Sequence, residues 1–136
     1  MIVKIYKLIS NIMFIPILIY FLIRLFFSKE SKQSIMEKFF FVKSKRPKGK
    51  VIWINGVSIG EAKSGLIVAE EILKKQPNTK ILFSTSTQTA HQIISNLNKN
   101  ITLVYTPIDI NFLIQKFLDH WRPQQTIFME SEIWPN

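Results

Sequence analysis

The second half of the chain alternates between two hydrophobic periods. Short runs rich in β-branched residues, each closed by polar residues, predict strands at 50–55, 81–86, 101–106 and 126–130. Between them, apolar residues at helical spacing predict helices at 59–75, 88–98 and 110–121. Strands that alternate with helices in this way form right-handed crossovers and a parallel sheet. The sequence therefore predicts an α/β, Rossmann-like fold with strand order 3-2-1-4 and helices on both faces.

The first 28 residues carry the longest apolar run of the chain. The run from Leu8 to Phe27, interrupted by one arginine whose head can snorkel, gives about 20 residues, the length that a bilayer core requires. Pro16 lies inside it, which membrane helices tolerate. A cleaved signal peptide would need small residues at a cleavage site, and the first alanine is Ala62. Residues 1–28 are therefore predicted to be an uncleaved, single-pass transmembrane helix that acts as a membrane anchor.

The positive charge is confined to the N-terminal part. Residues 1–50 contain eleven Lys or Arg and two acids, which accounts for the whole net charge of +9, whereas later charges cancel. Because basic residues after the apolar run outnumber those before it, the globular part is expected in the cytoplasm, at the cell inner membrane. Residues 29–50 are predicted to be a basic juxtamembrane linker, whose Phe39–Phe41 cluster would lie against an anionic leaflet, or else a solvated linker.

Two classes of function are disfavoured by this composition. A nucleic-acid binder would carry its positive charge on a face of the folded domain, and residues 51–136 have no net charge. The absence of cysteine fits a reducing compartment and excludes a disulfide scaffold or a thiolate metal site.

The loop "NGVSIGE" follows the first predicted strand. Its two glycines, Gly56 and Gly60, match neither the Rossmann fingerprint nor the P-loop. Ser58 and Glu61 fit a capping box, in which each side chain accepts a hydrogen bond from the backbone N–H of the other residue. Glu61 is therefore either a helix cap or a functional carboxylate at the carboxyl end of the first strand.

Two acids close the fourth predicted strand. Glu130 and Glu132 stand at i and i+2 and so point to one side of the sheet. They are either a solvated strand end, with a salt bridge to Arg122 or a lysine, or part of a site. Since strands one and four are expected to be neighbours, Glu61 and Glu130 would converge on one crevice, as a base and its electrostatic partner.

Hydroxyl residues cluster after the second predicted strand. Ser84 and Thr85 could hydrogen-bond a sugar or a phosphate, whereas Thr87 is more simply the N-cap of the next helix. His91 and His120 have no partner at a metal-binding spacing, so no metal site is predicted.

Five segments carry a family resemblance: "VIWINGVSIGE", "ILFSTSTQTA", "VYTPID", "FLDHWRP" and "MESEIWPN". In this order and spacing they resemble the N-terminal domain of the 3-deoxy-D-manno-octulosonic acid (Kdo) transferases of Gram-negative lipopolysaccharide synthesis. The resemblance implies the acceptor domain of a GT-B glycosyltransferase, which transfers Kdo from CMP-Kdo to the lipid A precursor with inversion and without a catalytic metal. Two departures from the family pattern are Asn55, where histidine is common, and Ile108, where an aromatic residue is common.

The resemblance also assigns roles to residues. It implies that Glu61 is the general base and that Glu130 is a supporting carboxylate. The acceptor-binding residues then expected are Ser58, Gly60, Ser84, Thr85 and Glu132.

A donor domain has no counterpart in this sequence. The chain stops soon after the fourth predicted strand, so 51–136 is expected to be a truncated acceptor domain, inactive alone, and CMP-Kdo to bind an absent C-terminal domain. No cofactor is expected. The expected partners are the lipid A precursor, an anionic inner leaflet and, where the donor domain belongs to another chain, a separate donor-domain polypeptide; nucleic acid is not expected. The alternative is a non-catalytic, membrane-anchored remnant that binds the lipid A precursor.

Overall fold

The structure, a computed structural model, describes residues 2–27, 29–94 and 99–130. The helices are α1 (Ile2–Ile12), α2 (Phe14–Phe26), α3 (Lys32–Lys38), α4 (Ile59–Lys75), α5 (Gln88–Ile93) and α6 (Asn111–Trp121). The strands are β1 (Val51–Asn55), β2 (Lys80–Thr85), β3 (Ile101–Tyr105) and β4 (Gln125–Phe128). The predicted succession of strands and helices from β1 onward is confirmed, with boundaries that differ by one or two residues except at the end of α5.

The described residues form one four-stranded parallel sheet with the order β3-β2-β1-β4. The predicted α/β class, the parallel sheet and the strand order are therefore confirmed. All five residues of β1 are buried, as a central parallel strand requires. The edge strand β4 differs from the expectation of full coverage, since Phe128 is 42% exposed. The carboxyl ends of β1, β2 and β4 are in register, because Asn55 pairs with Ser84 on one side and with Phe128 on the other.

Helix α4 packs one face against this sheet. Its inward residues follow helical spacing, at Ala62, Ala69 and Leu73, and join the core that Ile54 and Phe83 form on the strands. The helix begins at Ile59, as predicted, because Ser58 caps it. Helix α5 ends at Ile93 rather than at the predicted residue 98, and residues 95–98 lie outside the described part.

Two glycines of α4 give a matched test of this packing. A Cβ on Gly65 would lie 2.9 Å from Phe83 Cζ and 3.1 Å from Met129 Cγ, whereas a Cβ on Gly60 would meet nothing within 4 Å. We expect Gly65→Ala to lower the free energy of unfolding by about 1–3 kcal/mol through overpacking. Gly60→Ala should raise it by up to about 1 kcal/mol through helix propensity. Urea unfolding measures both, and equal effects would contradict the close approach of α4 to the sheet.

The single transmembrane helix predicted for residues 1–28 is instead a pair of helices. Helices α1 and α2 are bent by 46° at Met13. Pro16 lies in the first turn of α2, where a backbone N–H has no partner within the helix, so α2 tolerates the proline. Because Pro16 has no N–H to donate to the carbonyl of Ile12, the hydrogen bonds of α1 do not continue into α2 at this point. Among the described helices, none alone has the length and apolarity to cross a bilayer, although α1 and α2 together meet both criteria.

The described chain divides into two compact units. Among the described residues, one unit consists of those up to Val42 together with Pro107–Asp119, and the other of Lys43–Thr106 together with 120–130. In the first unit, one side of α2 packs against a small apolar core made of Ile35, Phe39, Ile110 and Leu113. The domain boundaries at 28/29 and 50/51 stay predictions.

The predicted basic linker contains regular structure. Ser31 caps α3 by accepting a hydrogen bond from the Ser34 N–H at 3.0 Å. Of its aromatic cluster, Phe39 is 5% exposed and belongs to the apolar core, whereas Phe41 is 64% exposed. The expectation that all of this cluster lies on a leaflet is therefore wrong for Phe39, because α3 turns that ring inward.

The end of this segment is fixed by an arginine. Arg46 donates to the backbone carbonyls of Trp121 and Pro47, at 2.8 Å each, and of Gly49 at 3.3 Å. His120 Nε2 donates to the carbonyl of Ser44 at 3.0 Å, so this histidine also helps to hold the segment in place. Ser44 and Arg46 are therefore hydrogen-bonded to the protein, and the predicted role of residues 29–50 as a linker stays a prediction.

Candidate functional site at the carboxyl ends of the strands

The capping box at the start of α4 is confirmed. Ser58 Oγ accepts from the Glu61 N–H at 3.3 Å. In return, Glu61 Oε2 accepts from the backbone N–H groups of Val57 at 2.8 Å and Ser58 at 3.2 Å. Glu61 Oε1 accepts no hydrogen bond from any residue that the structure describes. Glu61 is therefore a cap through Oε2, one of its two carboxylate oxygens.

These contacts set the charge of Glu61. Partial burial raises the pKa of its carboxyl, but the backbone N–H groups of Ser58 and Val57, with the Ser58 side chain, outweigh it and hold the pKa below its usual value. The positive end of the α4 dipole acts in the same direction. Glu61 is consequently ionised at neutral pH, as a proton acceptor must be.

A buried polar network ties together the ends of the strands. It centres on Asn55, which is only 2% exposed and whose Oδ1 accepts from Ser84 Oγ and from Thr106 Oγ1, at 2.7 Å each. Its Nδ2 donates to Glu130 Oε1 at 3.1 Å. Ser84 Oγ in turn accepts from Trp53 Nε1 at 2.7 Å. The network therefore reaches residues of all four strands or of the loops that follow them.

The structure gives the two predicted hydroxyl residues internal partners. Ser84 is fully buried in the Asn55 network. Thr85 is also fully buried, and its Oγ1 lies 3.1 Å from Nδ1 of His91, whose ring stacks on Tyr105 with centroids 3.9 Å apart. Direct binding of an acceptor by either hydroxyl stays a prediction. Thr87 caps α5 by accepting from the Ala90 N–H, as predicted.

The remaining predicted site residues differ in exposure and position. Ser58 and Gly60 are exposed at the start of α4. Glu130 is half-buried at the end of β4, while Glu132 lies outside the described residues. The structure thus brings Glu130 together with Asn55 and Ser84, whereas the hydrogen bonds of Glu61 run to its own loop. Since β1 and β4 pair directly, Glu61, in the first turn of α4, and Glu130 follow neighbouring strands at the same end of the sheet.

Sequence reasoning missed part of the network. Thr106 was not a candidate, and Asn55 was noted only as a departure from a family pattern. A usable signal was present, because a polar residue that ends a strand of buried apolar residues must find hydrogen-bond partners.

Among the described residues, no three His, Asp or Glu side chains lie close enough to hold a metal ion.

A family model gives the decisive comparison. The model described as 3-deoxy-D-manno-octulosonic-acid transferase (kdotransferase) matches residues 33–136, most of the chain. The chain belongs to this family. It corresponds to the N-terminal domain of Kdo transferases, which are glycosyltransferases, and the match includes Glu61, Glu130 and every member of the Asn55 network.

Several relatives share the same name. The 3-deoxy-D-manno-octulosonic acid transferase of Rickettsia bellii is 35% identical over 126 residues, which cover 90% of this chain and 30% of the relative. The probable mitochondrial Kdo transferase of Arabidopsis thaliana is 35% identical over 74% of this chain and 23% of its own length. The enzyme of Haemophilus influenzae is 27% identical over 80% and 26%. The chain therefore spans less than a third of these relatives, and no solved structure matches it.

Proposed function

We propose that this chain is the acceptor-side half of a Kdo transferase of lipopolysaccharide synthesis, an inverting glycosyltransferase of GT-B type with a Rossmann-like N-terminal domain. The donor substrate is CMP-Kdo, bound by a C-terminal domain, and the acceptor is the lipid A precursor. The observation that carries the proposal is the environment of Glu61. Its carboxylate is ionised and anchored through Oε2, and Oε1 accepts no hydrogen bond from the described residues.

In this proposal Glu61 is the general base. An acceptor hydroxyl attacks the anomeric carbon of Kdo, its proton passes to Glu61, and CMP leaves from the opposite face with the electron pair of the broken bond. A carboxylate with a lowered pKa is a weak base towards a free hydroxyl. The proton is therefore transferred late, as the new glycosidic bond forms and the hydroxyl becomes acidic. Glu130 supports this step as a second carboxylate of the crevice, and no metal takes part.

The acceptor contacts follow from exposure. Ser58 and Gly60 are exposed beside Glu61 and can approach a sugar directly, and no side chain at position 60 blocks the approach. Ser84 and Thr85 are buried, and they contribute indirectly, through their contacts with the side chains of Asn55 and His91. Glu132 completes the proposed set.

The N-terminal unit is proposed to hold the site at the inner membrane, with residues 51–136 in the cytoplasm. Helices α1 and α2 expose many large apolar side chains, among them Leu8, Ile15, Leu22 and Phe26. Residues 1–50 carry the whole net charge of +9, which is complementary to anionic lipid. Residues 1–28 would then be the anchor and 29–50 the membrane-proximal segment.

A chimera tests the proposal. Residues 1–136 replace the matching N-terminal part of the Rickettsia bellii transferase, so that a donor domain of a relative follows this chain. We expect the chimera to transfer Kdo from CMP-Kdo to the lipid A precursor, measured by radiolabelled product, and the 136-residue chain alone to give none. A folded chimera that binds the lipid A precursor without turnover would instead support the non-catalytic binding module.

A further inference from the structure

Glu130 accepts a hydrogen bond from a buried side chain, the amide of Asn55. We propose that Asn55 is the positioning residue for Glu130, and that Ser84 and Thr106 lock the Asn55 amide in the orientation required. The inference rests on the proposed function, because it gives Glu130 a part in the transfer. Its physical basis is the contact between Asn55 Nδ2 and Glu130 Oε1 at 3.1 Å.

The two hydroxyl donors determine which way the amide faces. Both Ser84 Oγ and Thr106 Oγ1 donate to Asn55 Oδ1, at 2.7 Å each, which uses both lone pairs of that oxygen. With the amide reversed, Oδ1 would face Glu130 Oε1, and two acceptors repel each other as long as the carboxylate is ionised. The donors therefore fix Nδ2 towards Glu130.

Trp53 further secures the orientation of the Asn55 amide, through Ser84. Ser84 Oγ accepts from Trp53 Nε1 at 2.7 Å, and the Trp53 ring is 6% exposed. Because the indole nitrogen is only a donor, Ser84 has to direct its own hydrogen elsewhere, and Asn55 Oδ1 is its acceptor. The series Trp53, Ser84, Asn55, Glu130 thus has one consistent direction of donation.

Glu130 needs such support because of its place in the chain. The N–H of Met129, just after β4, donates to the carbonyl of Asn55 at 2.9 Å, and Glu130 follows it. The sheet therefore positions the backbone just before Glu130, and Asn55 positions one oxygen of its carboxylate. Because an amide donor has no charge, it orients Glu130 without neutralising it.

Kinetics of the chimera test the positioning role. Asn55→Asp is isosteric but removes the donor, so we expect kcat to fall by about 10- to 100-fold while KM for CMP-Kdo stays within about threefold. Thr106→Val should lower kcat less, because the bond to Glu130 remains. The matched control is Thr79→Val, which removes a buried hydroxyl at the opposite end of β2 and should leave kcat unchanged.

A double-mutant cycle on the 136-residue chain tests the contact itself. Asn55→Asp should lower the midpoint of thermal unfolding, and the same substitution in a Glu130→Gln background should lower it much less, since a donor again faces an acceptor. Additive losses, unchanged kcat in Asn55→Asp, or an equal kcat loss in Thr79→Val would overturn the inference. A chimera that is inactive without substitutions would refute the proposed function, and the cycle would then decide the inference alone.

Discussion

In the active chimera, Glu61→Gln is expected to lower kcat by about 10²- to 10⁴-fold, the range that general base catalysis contributes. The amide of glutamine has almost the shape of the carboxylate, and its oxygen can still accept from the N–H groups of Val57 and Ser58. The free energy of unfolding should therefore change by no more than about 1 kcal/mol, the scale of one cap. Initial rates and urea unfolding of the same preparations separate the two effects.

Two variants on α4 serve as controls for this loss. Glu71→Gln is the same substitution at an exposed position, where the carboxylate pairs with Lys74 at 2.6 Å, and it should leave kcat unchanged. Ser58→Ala removes the cap but keeps the Glu61 carboxylate, so it should cost about 1 kcal/mol of stability and far less activity than Glu61→Gln. Equal activity losses in Ser58→Ala and Glu61→Gln would show that Glu61 acts as a helix cap and not as the general base.

The lowered pKa of Glu61 also gives this prediction a pH dependence. Because the folded state holds the pKa of the carboxyl below its usual value, the base stays ionised until the pH falls below 4.5. The contribution of this cap to stability has the same sign, since it is present above the pKa of the unfolded chain and is lost as the pH falls through the folded pKa. An acid limb of kcat near neutral pH would therefore have to come from another group.

The contrast between Glu61 and Asn55 shows what the sequence could predict. A capping box is local, so Ser58 and Glu61 three residues apart were enough to predict the start of α4 and the partners of the carboxylate. The alternation of strands and helices was likewise enough for the order of the strands. The sequence therefore predicted the end of the sheet at which the candidate site lies.

The Asn55 network could not be predicted in the same way. Ser84, Thr106 and Glu130 are 29, 51 and 75 residues from Asn55 along the chain, and their contacts depend on the register of all four strands. For the N-terminal residues 1–50, composition alone likewise did not predict the helices and their packing. There the apolar run predicted one long helix, but Pro16 and the packing of Phe39 divide and partly bury it.

The buried ion pair of the N-terminal unit should give the largest effect on stability. Glu30 and Lys38 are each 7% exposed, and Lys38 Nζ lies 3.1 Å from Glu30 Oε1, which also accepts from the Ser34 hydroxyl. Glu30→Gln removes the negative charge that faces this buried ammonium. We expect it to lower the free energy of unfolding by about 3–5 kcal/mol, because a buried charge then loses its counterion. Urea unfolding followed by circular dichroism would measure the loss.

Two further measurements, on a double variant and on the pH dependence of unfolding, would identify the lost ion pair as the cause of the stability loss in Glu30→Gln. The double variant Glu30→Gln/Lys38→Met should recover most of the loss, because it removes both charges from the interior. Burial raises the pKa of Glu30, but the Ser34 hydroxyl and the Lys38 ammonium outweigh it and keep the pKa lowered. Stability that depends on this carboxylate is therefore present above about pH 4.5 and is lost as the pH falls through the folded pKa, a loss that Glu30→Gln should not show. If Glu30→Gln were no more costly than Glu71→Gln at the exposed pair on α4, the apolar contacts of Ile35 and Phe39 alone would hold α3 in place.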